Sequence, residues 1–354
     1  VTVPAARDAV RDLAAAVTGA DDGVRAAAVA HLASLAMPPG ALGGLGALGV
    51  QLAAATGQLP PPRFETATVI VCAGDHGIHA QGVSPWPQAV TSAMATTVAS
   101  GRAGVSAIAA AVGAQVDVVD VGIAAELPPD SGVHDARVVA GTRDASIEDA
   151  LTLDEAARCV LAGAAAADRA MDAGAELLVT GDLGIANTTA SAVLVAACTG
   201  AAADEVTGRG TGIDDETLEH KTAVVTTVLD RIDRDADGLE LLAAVGGAEH
   251  AALVGVLLAS AARRVPVLLD GVIADAAALV AVRLQPAVAD YLVAGHRSTE
   301  PGATRAMDAL DLTPLIDLEL RLGEGSGAAL AVPIVRAASR VLRDVATLEE
   351  LGFA

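Results

Sequence analysis

TATVIVCAGDHG, residues 66–77, is a continuous, largely β-branched apolar run that ends in glycine, aspartate and histidine. A short apolar run without polar alternation reads as a strand buried on both faces, as strands of parallel sheets are. The form recurs along the chain. VDVVDVGI (116–123), ELLVTGDLG (176–184) and VPVLLDGVI (265–273) each carry Gly with Asp near the end, and YLVAGHRS (291–298) and PLIDLELRLGEG (314–325) are two more. Alanine-rich stretches of helical character lie between them. Six apolar strands alternating with helices predict an α/β fold with a parallel sheet covered on both faces. In open sheets of this kind, ligands bind beyond the carboxyl ends of the strands. Nearly every polar cluster of this sequence falls at such an end.

Upstream of the first strand, residues 4–55 are rich in alanine and leucine, with arginine and aspartate at helical spacing. Two or three helices are expected, broken near MPPG (37–40). The biased stretch GALGGLGALG (40–49) admits a helix start or a flexible connector. QLPPPRF (58–64) reads as a linker, because prolines exclude helix there.

Composition narrows the function. The chain has 354 residues, 53% of them apolar, so it can bury a substantial core. Aromatics are only 1%, which limits stacking to Phe64, Trp86, Tyr291 and Phe353. A net charge of −22 repels phosphate polymers and anionic lipid, and argues against nucleic-acid or membrane partners. A phosphate bound here has to be held by backbone amides and a few chosen cations. Cys72, Cys159 and Cys198 are odd in number, far apart and without metal-ligand spacing. They read as reduced, mostly buried thiols of a cytoplasmic protein. The first residues show no basic region followed by an apolar core, so no signal peptide is expected. Asp270, Asp275 and Arg283 interrupt the most hydrophobic region, so no membrane span is expected.

Five clusters at strand ends, and one glutamate, are candidates for chemistry. In RLGEGSGAALAVPIVRAA (321–338), Glu324 lies between two glycines at the mouth of an apolar helix. Spacing alone admits two readings: a glutamate placed for chemistry, or an ordinary helix start capped by Ser326 with Glu324 in solvent. AGDHGIHAQGVSPWPQAVT (73–91) joins Asp75 and His76 to a proline-bracketed loop with Ser84, Trp86 and Gln88; the bland alternative is that Asp75 and His76 bond each other. In TGDLGIANTTASA (180–192), Asp182 and Asn187 flank a turn into a helix, an arrangement that suits an anion or sugar hydroxyls or, alternatively, simple capping by Asn187 or Thr188.

VTGRGTGIDDETLEHK (206–221) exposes backbone at Gly208, Gly210 and Gly212, and holds Lys221, the single lysine of the chain. It is not a Walker loop, because GK[ST] is absent. Asp270 and Gly271 end another strand. AGHRSTEPG (294–302) crowds His296, Arg297, Ser298 and Glu300 together, where Arg297 and Glu300 have the alternative of a loop-tying ion pair. No serine elbow, metal motif or dinucleotide fingerprint occurs.

In their order, GDHG (74–77), GVSPWPQAVT (82–91), GDLGIANTT (181–189), GRGTGIDD (208–215) with Lys221, VGGAEHAA (245–252), LLDG (268–271), HRSTEPG (296–302) and RLGEGSGAAL (321–330) resemble the nicotinate-nucleotide–dimethylbenzimidazole phosphoribosyltransferase family of cobalamin lower-ligand synthesis. The resemblance covers about residues 30–350. Ala186 stands where the family commonly has glycine, Asp182 where some members have glutamate, and VGGAEH lacks the common phenylalanine. The shorter Asp182 implies a less direct reach to ligand, or one through water.

The resemblance implies a doubly wound, Rossmann-like six-stranded parallel sheet with a second, smaller helical domain from both chain ends. The expected boundaries are 1–62 plus about 335–354 for the helical domain and 63–334 for the catalytic one. It implies transfer of phosphoribose from nicotinate mononucleotide to 5,6-dimethylbenzimidazole, without cofactor or metal, by a homodimer. In that reading Glu324 is the general base. Gly210, Lys221, Gly271 and Ser298 surround the phosphate, Asp182, Asn187 and Asp270 contact the ribose and its surroundings, and Ser84, Gln88 and Met94 line the azole pocket. Trp86 belongs either to that pocket or to a subunit interface. A nucleotide- or azole-binding module of the same fold, without turnover, and a nucleoside phosphorylase using free phosphate are the competing readings.

Overall fold

The computed structural model describes residues 3–353. Val1, Thr2 and Ala354, at the edges of the expected helical domain, lie outside the described residues. Three helices open the chain: α1 (Val3–Ala16), α2 (Asp22–Ser34) and α3 (Gly43–Thr56). Asp21 caps α2 by accepting the Val24 amide at 2.9 Å. The glycine-rich stretch is a helix start rather than a connector. Then follow β1 (Ala67–Gly74), α4 (Ala89–Ala99), α5 (Gly104–Val112), β2 (Ala114–Gly122), β3 (His134–Asp135) and α6 (Leu153–Asp172). Next come β4 (Leu177–Leu183), α7 (Asn187–Thr199), α8 (Ala203–Val206), α9 (Asp215–Arg231), α10 (Gly238–Val245) and α11 (Ala248–Ala262). The chain ends with β5 (Val267–Leu269), α12 (Val272–Leu284), β6 (Leu292–Ala294), α13 (Pro301–Ala309) and α14 (Ser326–Asp344).

The sheet has six strands in the order β3-β2-β1-β4-β5-β6, all paired in parallel. The chain winds from β1 to one edge, returns to β4 and winds to the other, which is the doubly wound topology. Its direction reverses between β1 and β4, the point where such sheets open a ligand crevice. Successive residues of each strand enter opposite cores. Ile70, Cys72, Val119, Val121 and Leu178 pack under α6, α7, α10, α11 and α12. Val69, Val71, Val118, Leu177 and Val179 pack under α3, α4, α5 and α14. Burial on both faces is why these strands carry no polar alternation.

Two strand assignments differ from the sequence reading. Residues 314–325 do not form a strand: one parallel bridge, His296 to Ile316, is all the ladder they make. The segment runs beside β6 through hydrogen bonds from Leu315 to Ala294 and from Arg297 to Ile316, but Glu319 takes a left-handed backbone (φ 56°) that ends any extension. The sixth strand is β3 instead. It is two exposed residues long and has no apolar run to announce it.

The second half of α14 lies on α3 and α2. Ser339 and Arg343 donate to the carbonyls of Pro61 and Pro62 in the proline-rich segment, and His31 Nε2 sits 2.8 Å from the Leu342 carbonyl oxygen. Helix α1 packs instead against α6 and α11. Helix α14 continues unbroken through residue 335. All three cysteines are free, Cys72 and Cys159 buried and Cys198 half-buried. No helix among the described residues is long and apolar enough to cross a membrane.

Helices α6 and α11 approach so closely that their backbones touch at two glycines. A Cβ on Gly163 would overlap the Ala252 carbonyl, and one on Gly255 would overlap the Val160 carbonyl. Because the struck atoms are backbone, the two helices can only separate. Gly163→Val is expected to destabilise the protein by about 3 kcal/mol, the upper end for overpacking. A lowered denaturant midpoint at unchanged m-value checks it.

Candidate active site

Gly323, Glu324 and Gly325 hold three successive left-handed conformations, with φ of 79°, 63° and 90°. For glutamate this costs energy, so other contacts must impose it. Two are visible. Gly181 of β4 has no side chain, and the Glu324 carbonyl occupies the space, 2.5 Å from where a Cβ would stand. Asp270, at the end of β5, accepts the Gly325 amide at 3.1 Å through Oδ2 and the Ala328 amide at 2.9 Å through Oδ1. Asp270 therefore caps α14 from across the sheet and is 0% exposed. Ser326 is the first residue of that helix and donates to the Gly323 carbonyl at 2.7 Å, so it does not cap.

The turn points the Glu324 side chain at the start of α5, where Oε2 accepts the Val105 amide at 3.4 Å. Glu324 is 4% exposed, not solvated. Burial raises its pKa and the charge of Asp270 adds to the rise, while the Val105 amide opposes it.

Glu324, Asp182, Asn187 and Met94 line one cleft of about 770 Å³. Its walls are otherwise mostly apolar, including Val90, Leu183, Ile185 and Leu322, with Trp86 at 50% exposure on the rim. Asp182 Oδ2 accepts from the Asn187 amide group at 2.8 Å, while Oδ1 has no partner. Burial pushes the Asp182 pKa well up, and the charges of Asp270, Glu249 and Glu324 push the same way. Neither Asn187 nor Thr188 caps α7. The cap position is Ala186, which has no capping side chain.

Ser84 and Gln88 do not line this cleft. Ser84 Oγ accepts the Trp86 amide at 3.4 Å, and Gln88 donates to the His76 carbonyl at 2.8 Å. Both brace the loop that carries Trp86.

A polar arc adjoins the cleft. Gly271 precedes α12, and Ser298 Oγ lies 3.7 Å from where its Cβ would stand. Ser298 Oγ accepts the Glu300 amide at 3.4 Å, and Glu300 Oε1 accepts the Gly210 amide at 2.8 Å. Gly210 in turn approaches Thr188 and Lys221. Lys221 Nζ donates to Thr188 Oγ1 at 2.8 Å and to the Gly208 carbonyl at 3.0 Å, leaving one N–H free. Burial lowers the Lys221 pKa to about 8, against the opposing charge of Glu300. The structure thus brings Gly210, Lys221, Gly271 and Ser298 into one arc. Arg297 pairs with Asp317 at 3.3 Å rather than with Glu300.

Asp75 and His76 do not bond each other. Asp75 accepts the Ala124 amide at 2.9 Å, and His76 Nε2 meets Glu249 Oε1 at 2.6 Å. His250 Nδ1 stands 2.8 Å from the same oxygen, and its Nε2 contacts Ser191 Oγ at 2.8 Å. Burial alone would lower the His76 pKa, but the facing Glu249 charge and hydrogen bond raise it. Burial alone would raise that of Glu249, but the two histidines hold it at about 2. Among the described residues these three are the one set of His, Cys, Asp and Glu whose donor atoms are close enough to share a metal ion, within 4.8 Å. Both rings already meet one carboxylate oxygen at hydrogen-bond distance, while the other Glu249 oxygen is buried without a partner. The cluster supports the Gly184 turn from beneath: a Cβ on Gly184 would be 3.4 Å from the His76 ring.

Sequence reasoning missed the Glu249 pairing, the Glu300–Gly210 contact and the cleft residues Arg321 and Leu322. Each lies inside a quoted motif, yet its partner is remote in sequence.

A phosphoribosyltransferase family model matches residues 17–352. The nicotinate-nucleotide–dimethylbenzimidazole phosphoribosyltransferase of Salinispora tropica is 51% identical over 355 residues, 96% of this chain and 98% of that protein. The protein of the same name from Mycobacterium avium is 49% identical over 339 residues, 96% of this chain and 97% of that one. Among solved structures, CobT from Thermus thermophilus superposes with a TM-score of 0.91 at 42% identity, covering 94% of this chain and 99% of that chain.

Ala186 has φ 77°, a left-handed conformation that suits glycine. Its methyl group costs about 1–2 kcal/mol there, and glycine returns roughly 0.4–1 kcal/mol through the unfolded chain. Ala186→Gly is expected to stabilise the protein by about 0.5–1 kcal/mol, read as a raised denaturant midpoint.

Proposed function

The chain belongs to the nicotinate-nucleotide–dimethylbenzimidazole phosphoribosyltransferase family, and we propose from the site that Glu324 is its general base. The reaction joins the phosphoribosyl group of nicotinate mononucleotide to 5,6-dimethylbenzimidazole, giving α-ribazole 5′-phosphate and nicotinate in the nucleotide-loop assembly of cobalamin. The observation that carries the assignment of the base is the Glu324 turn. A carboxylate held in strain by Asp270 looks into an apolar cleft beside a polar arc fit for phosphate.

In this reading the phosphate sits among Gly271, Ser298 and Lys221, at the start of α12, where amides and one ammonium meet it. Gly210 contributes through its place next to Lys221, since its own amide is taken by Glu300. Asp182 and Asn187 meet the ribose, Asp182 through its unpartnered Oδ1. Asp270 acts one step back, through the turn it caps. Met94 and the apolar wall receive the azole, while Ser84 and Gln88 shape that wall by bracing the Trp86 loop.

One azole nitrogen attacks C1′ from the face opposite the pyridinium, so β becomes α. The C1′–N bond to the pyridinium breaks and its electron pair stays on the ring nitrogen, releasing neutral pyridine with its carboxylate. The proton on the other azole nitrogen passes to Glu324. Holding the two reactants in line contributes roughly 7–11 kcal/mol, and general-base help about 10²–10⁴-fold. A binding module without turnover would have no use for a buried glutamate held in a strained turn.

A homodimer fits the exposed apolar side chains Trp86 and Leu322 of the cleft, and the exposed Leu318, which a partner subunit would cover. A cytoplasmic setting fits the three free thiols.

Nicotinate release that depends on added azole, followed by chromatography, tests the reaction itself. Glu324→Gln is expected to lower kcat by about 10²–10⁴-fold while binding of nicotinate mononucleotide stays unchanged; equal kcat in the variant would remove the base assignment. Because the pKa of Glu324 is raised in the free protein and the base must be ionised, the acid limb of kcat/KM should lie above the ordinary glutamate value of about 4.3. A pH profile of kcat/KM reads it, and the same limb should be absent from the residual activity of Glu324→Gln.

A further inference from the structure

The charged side chains lining the cleft are Asp182, Glu319, Glu324 and Arg321. Three are acids and one is a base, in a chain that carries 44 acidic and 22 basic residues. The Arg321 guanidinium has no hydrogen-bond or ion-pair partner among the described residues. It reaches across the mouth of the cleft toward the glycine loop, with Nη1 3.6 Å from where a Cβ of Gly212 would stand. Gly212 is left-handed at φ 105°, so a side chain there would be strained, and its Cβ would be in ordinary contact with the guanidinium.

The nucleotide donor carries two anions. In the reaction proposed above the phosphate has its own arc at Gly271, Ser298 and Lys221, with Lys221 held by Thr188. The second anion is the carboxylate on the edge of the pyridine ring. That ring leaves from C1′ in a cleft already lined by three carboxyl groups, where an unpaired anion is repelled and poorly solvated. A planar guanidinium offers two parallel N–H donors that match a carboxylate. Resting on the reaction proposed above, we propose that Arg321 binds the carboxylate of the pyridine ring and sets the preference of the enzyme for the acid over the corresponding amide. Arg321 is then a specificity-determining residue, placed three positions before the base by the same turn.

The test compares the full chain with Arg321→Gln and Arg321→Lys, using nicotinate mononucleotide and nicotinamide mononucleotide at saturating dimethylbenzimidazole. Arg321 is exposed and unpaired, so both variants should keep the fold. Arg321→Gln is expected to lower kcat/KM for the acid about 10–100-fold, the usual size for a charge-assisted pair, and to leave the amide unchanged. Arg321→Lys should recover part of the loss, because an ammonium keeps the charge without the fork. An equal fall for both nucleotides would place Arg321 on the phosphate or the loop and overturn the proposal, as would no change for either. Titration calorimetry with the two nucleotides alone reads the same discrimination without turnover. An enzyme that binds the acid more tightly only when Arg321 is present, yet releases no nicotinate with any azole, would retain this assignment and refute the proposed reaction.

Discussion

Asp270 holds the active turn in place. Its two carboxylate oxygens accept the amides of Gly325 and Ala328, at the start of a helix more than fifty residues further along the chain. A helix start presents unpaired amides and a partial positive charge, and a buried carboxylate there satisfies both sides. Thr180 of β4 steadies Asp270 in turn through its hydroxyl. The contact joins β5, β4 and α14 where the strands end. Glu324 stays in a left-handed backbone because the residues beside it are fixed by that carboxylate and by the bare face of Gly181.

The same place explains how an acidic protein can bind an anionic nucleotide. Burial raises the proton affinity of Asp182 and Glu324, and neighbouring carboxylates add to the rise: Asp270, Glu249 and Glu324 act on Asp182, and Asp270 acts on Glu324. Glu249 is the exception, because two histidines face it. Proton affinity raised in this way is useful in a base that must take a proton from an azole. In the proposed reading the phosphate is kept apart from this group, at backbone amides and one lysine. That lysine is itself buried, fixed by Thr188 and the Gly208 carbonyl, and so costs little further ordering when the nucleotide arrives.

Close backbone approach is the second constraint on the fold. A core built from alanine and valine has little bulk, and it becomes dense by bringing helices nearer. Gly163 and Gly255 let α6 and α11 touch, and Gly181 and Gly295 let α14 lie against the strand ends. The scarcity of aromatic residues is thus matched by short distances between layers.

The sequence by itself determined the layered α/β class, five of the six strands and, at strand ends and a helix start, the cleft residues Asp182, Asn187 and Glu324. Those features are written locally: an apolar run of a given length, or glycine next to aspartate at its end, needs no knowledge of the rest of the chain. The ordered motifs also carried the family. Tertiary structure alone decided what the polar residues do. Asp270 is a cap for a distant helix, Glu300 takes the Gly210 amide, His76 pairs with Glu249 rather than Asp75, and Ser84 and Gln88 brace a loop instead of lining the cleft. It also replaced the strand expected at 314–325 with the two-residue β3. The physical reason is common to all of these. A polar side chain at the end of a parallel strand finds its partners on neighbouring strands and helices, which are adjacent in space only after the chain has crossed over, and local spacing holds no record of that.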